Sequence, residues 1–153
     1  MVNGRDQPAE GRFEGARHLF PLRVYFEDTD LSGVVYHANY LRFMERARSD
    51  MLRLVGVGQR AAMEAGEGAY AVVDLSIRFR APARLDDALL VESRVATVRG
   101  ASTTIHQRVI RDGVILTDAE VVAALVGADG RPRRQPRDWV ERFKQVMGDG
   151  RVA

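Results

Sequence analysis

LRVYFEDTDLSGVVYHANYLRFMERAR, residues 22–48, is the stretch whose reading decides this chain. Residues 22–26, Leu-Arg-Val-Tyr-Phe, include β-branched and aromatic side chains, which predicts a short strand. An acidic turn, Glu27-Asp28-Thr29-Asp30, follows and is broken by Ser32-Gly33. A second apolar run, residues 34–36, leads through His37 into a helix that begins around Ala38 or Asn39. Carboxylates, a histidine and a helix N-terminus therefore fall close together.

Working outward, Tyr40, Met44, Ala47, Met51 and Val55 recur at i, i+4, i+7, i+11 and i+15. That spacing draws one apolar stripe along a helix over residues 39–55. Leu41, Leu52 and Leu54 widen the stripe, and Gly56 and Gly58 end it. A short amphipathic turn over residues 59–65 comes next. The period then changes to two: Val73, Leu75, Ile77 and Phe79 alternate with Asp74, Ser76, Arg78 and Arg80, as in a half-buried strand. Further strands are expected over residues 89–98, 102–111 and 114–126, with Asp112-Gly113 a two-residue hairpin turn. Residues 131–137, with Pro132 and Pro136, fit neither a central strand nor a regular helix. Asp138 is placed to cap a last helix with Trp139, Val140, Phe143, Val146 and Met147 on its apolar side.

Tight turns join antiparallel neighbours. The expected fold is thus α+β, an antiparallel sheet with one long helix across a face. Residues 1–19 mix Gly, Pro and charge without periodicity and are expected to form a flexible tail, leaving 20–153 as a single domain.

Composition excludes several classes. The 153 residues hold no cysteine, so disulfides, thiol nucleophiles and cysteine-ligated metal are out. Three widely spaced histidines, His18, His37 and His106, do not make a zinc site, and no metal is expected. A net charge of +2 does not announce nucleic acid. No apolar run approaches the roughly 20 residues that span a bilayer. The first residues lack a secretory leader's apolar block, so a cytoplasmic location is expected.

Three chemistries fit the acidic turn in outline. Asp28-x-Asp30-x-Ser32-Gly33 resembles the opening of a calcium loop, but the twelfth position is Asn39 instead of glutamate, and a strand precedes it. A phosphotransferring aspartate loop of the haloacid dehalogenase type needs a parallel α/β sheet, against which the hairpins argue. In the third, a carboxylate faces a helix start whose unpaired N–H groups and dipole polarise a carbonyl. With a histidine nearby, it attacks an ester or thioester or activates water against it. Gly33 would allow a close backbone approach. A purely structural alternative, in which Asp28 and Asp30 only cap backbone N–H groups, stays open on the residues alone.

Four blocks carry a family resemblance: Arg23-Val24-Tyr25-Phe26-Glu27-Asp28-Thr29-Asp30; Gly33-Val34-Val35-Tyr36-His37-Ala38-Asn39-Tyr40; Glu45-Arg46-Ala47-Arg48 with Met51-Leu52-Arg53; and Ala81-Pro82-Ala83-Arg84-Leu85-Asp86-Asp87. They resemble the 4-hydroxybenzoyl-CoA thioesterase-like branch of the hotdog superfamily, and within it the acyl-CoA thioesterases encoded with the bacterial Tol–Pal envelope system. The resemblance implies a hotdog fold, with the sheet wrapped around the helix, and two subunits joining sheets so that sites form at their interface. It implies an acyl-CoA thioesterase without cofactor, a homodimer or homotetramer, with a peripheral place at the inner membrane. Hydrolysis of acyl-acyl carrier protein is the rival enzyme reading, since the Arg-rich surface would suit that acidic partner as well as coenzyme A. Asp30 corresponds to the catalytic acid, as nucleophile or general base, and His37 to the motif histidine at the helix start. Tyr36 would line the acyl pocket, and Arg99 and Ser102 would meet coenzyme A, with Arg84 a looser candidate. Phe26 stands where relatives often carry a second tyrosine, so a hydroxyl contact is missing there. Glu45 corresponds either to the helix-borne carboxylate of other hotdog thioesterases or, as its spacing more plainly suggests, to a surface partner of Arg48 and Ser49. Residues 131–137 read as a solvated linker, with contact to phosphates or anionic lipid as the alternative. A non-catalytic acyl-binding or envelope-associated protein of the same fold is the alternative from another class.

Overall fold

The computed structural model describes residues 4–148. Six antiparallel strands form one sheet: β1 (Arg12–Glu14), β2 (Arg17–Arg23), β3 (Ala69–Phe79), β4 (Ala88–Val98), β5 (Ser102–Arg111) and β6 (Val114–Val126). Their spatial order is β1-β2-β4-β5-β6-β3. Three helices complete the fold: α1 (Asn39–Val55), α2 (Gln59–Glu64) and α3 (Arg137–Val146).

The helix stripe behaves as its spacing requires. Tyr40, Met44, Ala47 and Met51 are buried, joined by Phe43 and Leu52. Tyr40, Phe43, Met44 and Ala47 pack against Val91, Val109, Leu116 and Val121 of the sheet, forming one half of the core. Trp139 and Phe143 of α3 close the other half with Met51, Ile105 and Leu125. Gly56 ends α1 with φ 92°, a left-handed position that glycine adopts without strain.

Several expectations need correction. Residues 12–19 are not a tail: β1 and β2 occupy most of them, and His18 and Leu19 are buried. Sequence period misses this because the ordering force is long-range pairing, His18 opposite Ser93 and Leu19 opposite Glu92. Residues 1–3 and 149–153 lie outside the described residues. The first strand ends at Arg23, not Phe26, because Tyr25 to Asp28 tighten into a 3₁₀ turn held by the Tyr25 N–H on Asp28 Oδ2 at 2.8 Å.

In β3 the expected alternation breaks at a bulge between Val72 and Asp74, which turns Val73 outward. Residues 131–137 are docked, not solvated as a whole. Buried Gln135 donates from Nε2 to the carbonyls of Arg99 and Ser102 and accepts from Tyr70 and Thr103. Asp138 does not cap α3; Pro136 holds that position and no side chain bonds there.

Candidate active site

The acidic turn folds as a small hairpin. Thr29 and Val35 form a bridge, the Asp30 N–H donates to the Val34 carbonyl at 2.9 Å, and the Tyr36 N–H donates to the Asp28 carbonyl at 2.9 Å. Gly33 sits at its tip with φ 82°, a left-handed turn position. Nothing lies near where its Cβ would stand, so the glycine serves the turn and not a close approach within this chain.

The two aspartates divide their roles. Asp28 is structural: its carboxylate accepts the Tyr25 N–H, and its carbonyl also accepts Asn39 Nδ2 at 2.9 Å. Asp30 is exposed, and its Oδ1 accepts both the Ser32 N–H at 2.8 Å and the Ser32 hydroxyl at 2.5 Å. Those two bonds, the hydroxyl first, hold its carboxyl below the ordinary carboxylate value. It is therefore ionised at neutral pH, and its Oδ2 has no protein partner among the described residues. The capping alternative is thus realised on one oxygen and leaves the other open.

The hairpin's second arm runs into the start of α1. Ala38 occupies the N-cap position and offers no side-chain cap. A Ser, Thr, Asp or Asn there would stabilise the helix by about 1 kcal/mol and occupy its N–H groups. Here the N–H groups of His37 and Ala38 find no acceptor among the described residues, while that of Asn39 donates to the Tyr36 carbonyl. The His37 ring is exposed between Tyr36, with centroids 4.6 Å apart, and the edge of Phe79 at 6.1 Å. Val35, Tyr40 and residues 79–82 finish an open, mostly apolar pocket around it.

The connection after β3 clamps this assembly. The Val35 N–H donates to the Ala83 carbonyl at 2.8 Å, and the Ala83 N–H donates to the Tyr40 hydroxyl at 2.9 Å. Arg84 bridges Val34, which puts that arginine beside the hairpin.

The other residues singled out in the sequence fall elsewhere. Arg99 and Ser102 face each other across the β4–β5 turn. Phe79 pairs with Thr117, and Thr117 with Val109; Ser102 lies seven residues from Val109 along β5. That distance is about 23 Å, so both residues stand at the end of the sheet away from His37. Phe26 is 80% exposed and opens the 3₁₀ turn, its carbonyl accepting the Thr29 hydroxyl.

Glu45 makes no ion pair with Arg48 among the described residues; it lines a separate cavity with Arg48 and Ser49. Sequence reasoning missed Phe79 as a site residue. The strand alternation assigned it to the core, yet it is half exposed against His37. No group of three or more His, Cys, Asp or Glu that would hold a metal occurs among the described residues. No helix there is long and apolar enough to cross a membrane.

The pattern of the thioesterase superfamily matches residues 32–117 and begins just after Asp30. The acyl-CoA thioester hydrolase YbgC of Escherichia coli O6:H1 is 42% identical over 128 residues, 82% of this chain and 95% of the relative. The acyl-CoA thioesterase YbgC of Haemophilus influenzae is 46% identical over 107 residues, 70% of this chain and 79% of its own. The crystal structure of a probable thioesterase from Bartonella henselae superposes with a TM-score of 0.75 at 38% identity, covering 78% of this chain and 99% of that one. An antiparallel sheet around a long central helix, matched in sequence over more than half its length, makes this chain a member of the thioesterase superfamily, with its hotdog fold.

Proposed function

We propose that the protein hydrolyses acyl-CoA thioesters at the Asp30 hairpin and the start of α1. The observation that carries this reading is the pairing of an ionised carboxylate, half free, with an uncapped helix start on the same hairpin, in a chain of this superfamily. The thioester carbonyl oxygen accepts from the His37 and Ala38 N–H groups, where the helix dipole also favours the negative charge that develops. Asp30 then attacks the carbonyl carbon and expels coenzyme A thiolate, leaving an acyl–aspartyl anhydride that water opens to the free acid. Alternatively Asp30 takes a proton from a water that attacks directly. Single-turnover hydrolysis in ¹⁸O water separates the routes, since only the first can place solvent oxygen in the Asp30 carboxyl. Tyr36 and Phe79, flanking His37, would meet the acyl group.

We propose that two copies assemble through β3. It is an edge strand, paired on one side only, and exposes Val72, Val73 and Phe79. An unpaired apolar edge favours a second strand. Two copies joined antiparallel through β3 would set the Phe79 end of one beside the Ala69 end of the other. Arg99 and Ser102 of one copy would then serve coenzyme A bound at the other's Asp30, while Arg84 serves its own. Sedimentation tests this: a dimer or tetramer is expected, and a strict monomer contradicts the shared site.

We further propose, on the resemblance alone, a cytoplasmic location near the inner membrane in association with the Tol–Pal system, with acyl carrier protein thioesters as the alternative substrate to acyl-CoA. Thiol release from acyl-CoAs of graded length tests the activity itself. Absence of release from every acyl-CoA and from acyl carrier protein would remove the enzyme reading and leave the binding one.

A further inference from the structure

The site above leaves unused a cavity of about 120 Å³ between the middle of α1 and strands β3, β5 and β6. Its walls are mostly apolar, among them Leu52, Val72, Ile105 and Phe143, and one cation, Arg48, is set among them. Arg48 is held from behind: its Nη1 donates to Gln107 Oε1 at 2.9 Å. Gln107 is fully buried and is itself fixed, donating from Nε2 to the Met44 carbonyl and to the Ser93 hydroxyl at 2.9 Å each. The guanidinium is thus preset in one orientation by a satisfied network.

Its own donors are not satisfied in the same way. A guanidinium carries five N–H groups, and one is used by Gln107. No carboxylate stands within ion-pair distance of Arg48 among the described residues; Glu45, one turn back and also lining the cavity, supplies only a longer-range attraction. Burial works against the charge more than Glu45 supports it. A preset cation with spare donors, in a largely apolar pocket, has the form of a recognition site for an oxygen acceptor. The cavity also lies on the helix whose start receives the thioester: Arg48 is nine residues beyond Asn39, about 14 Å along the axis.

We propose that this cavity receives the far end of the acyl group, and that Arg48 selects chains carrying an oxygen acceptor there over plain alkyl chains of the same length. This rests on the thioesterase reading and names its substrate class. A terminal hydroxyl satisfies Arg48 and can donate to Glu45 or Ser49, whereas a terminal carboxylate pairs with Arg48 against the Glu45 charge.

The test compares kcat/KM for dodecanoyl-CoA, ω-hydroxydodecanoyl-CoA and dodecanedioyl-CoA by thiol release, with the matching trio at butanoyl length. The wild type should favour at least one oxygenated substrate over its alkyl counterpart by about tenfold or more, the scale of one charge-assisted hydrogen bond. Arg48→Met should bring that ratio near one, and Arg48→Lys, which keeps the charge without the planar fork, should retain part of it. Ratios within one preparation do not depend on how much of it is folded, so a merely structural Arg48 leaves them unchanged. Equal rates across both trios, preference for the alkyl chain, or an unchanged ratio in Arg48→Met each overturn the proposal while the thioesterase reading stands. Hydrolysis of no acyl-CoA at all removes that reading first, and this one with it.

Discussion

Tyr40→Phe removes a single oxygen from the core and tests what ties the residue 81–87 connection to the helix. The Tyr40 hydroxyl accepts the Ala83 N–H at 2.9 Å, and both residues are buried. Phenylalanine keeps the ring contacts with Phe43 and Phe79, at 5.9 and 5.8 Å, so no cavity opens. What remains is a buried N–H without an acceptor, which costs about 1–3 kcal/mol. For a chain of this size each kcal/mol lowers Tm by about 2–4 °C, so a fall of about 2–12 °C is expected. Scanning calorimetry measures it, with Tyr25→Phe at an exposed position as the control. The Ala83 carbonyl also holds Val35, so the loss should reach the Asp30 hairpin as faster amide exchange there. A Tm within about 1 °C of wild type would refute the reasoning, because the N–H would then have another partner.

Two further predictions concern titration. The Ser32 hydroxyl and N–H lower the Asp30 pKa, so Ser32→Ala should raise it toward the ordinary value of 3.8, read by an NMR titration of the Asp30 carboxyl carbon; an unmoved titration contradicts that cause. His18 is fully buried, with Nε2 2.7 Å from Asp50 Oδ2, and burial lowers its pKa more than Asp50 raises it. A depressed histidine contributes stability above its unfolded value of 6.5 and loses it as pH falls from there toward the folded value. Denaturant midpoints should therefore drop between pH 7 and pH 5 more steeply in wild type than in His18→Gln, and equal slopes would count against this.

The parts legible in the sequence are those with local causes. The stripe from Tyr40 to Met51 has helical spacing, and Asp112-Gly113 pins the β5–β6 hairpin, so those elements stand where the residues place them. Asp30 was separable from Asp28 by resemblance, and the hairpin shows the physical difference, one carboxylate committed to the Tyr25 N–H and the other half open. The illegible parts depend on partners far along the chain. His18 reads as tail until Asp50 meets it 32 residues away, and Arg48 reads as a surface charge until Gln107 meets it 59 residues away. Arg99 carries no sign in its neighbours that it stands at the end of the sheet away from Asp30. The β3 bulge turns Val73 outward, which a period-two pattern cannot foresee.

Asp30→Asn is the most direct test of whether Asp30 acts on the thioester. Asparagine keeps an oxygen to accept from Ser32, so the hairpin stays folded and only the charge and its reactivity are lost. With kcat for thiol release measured beside Asp28→Asn and wild type, a fall of about a hundredfold or more is expected in Asp30→Asn, with Tm unchanged. An Asp30→Asn enzyme within a few-fold of wild type would contradict a catalytic role for Asp30.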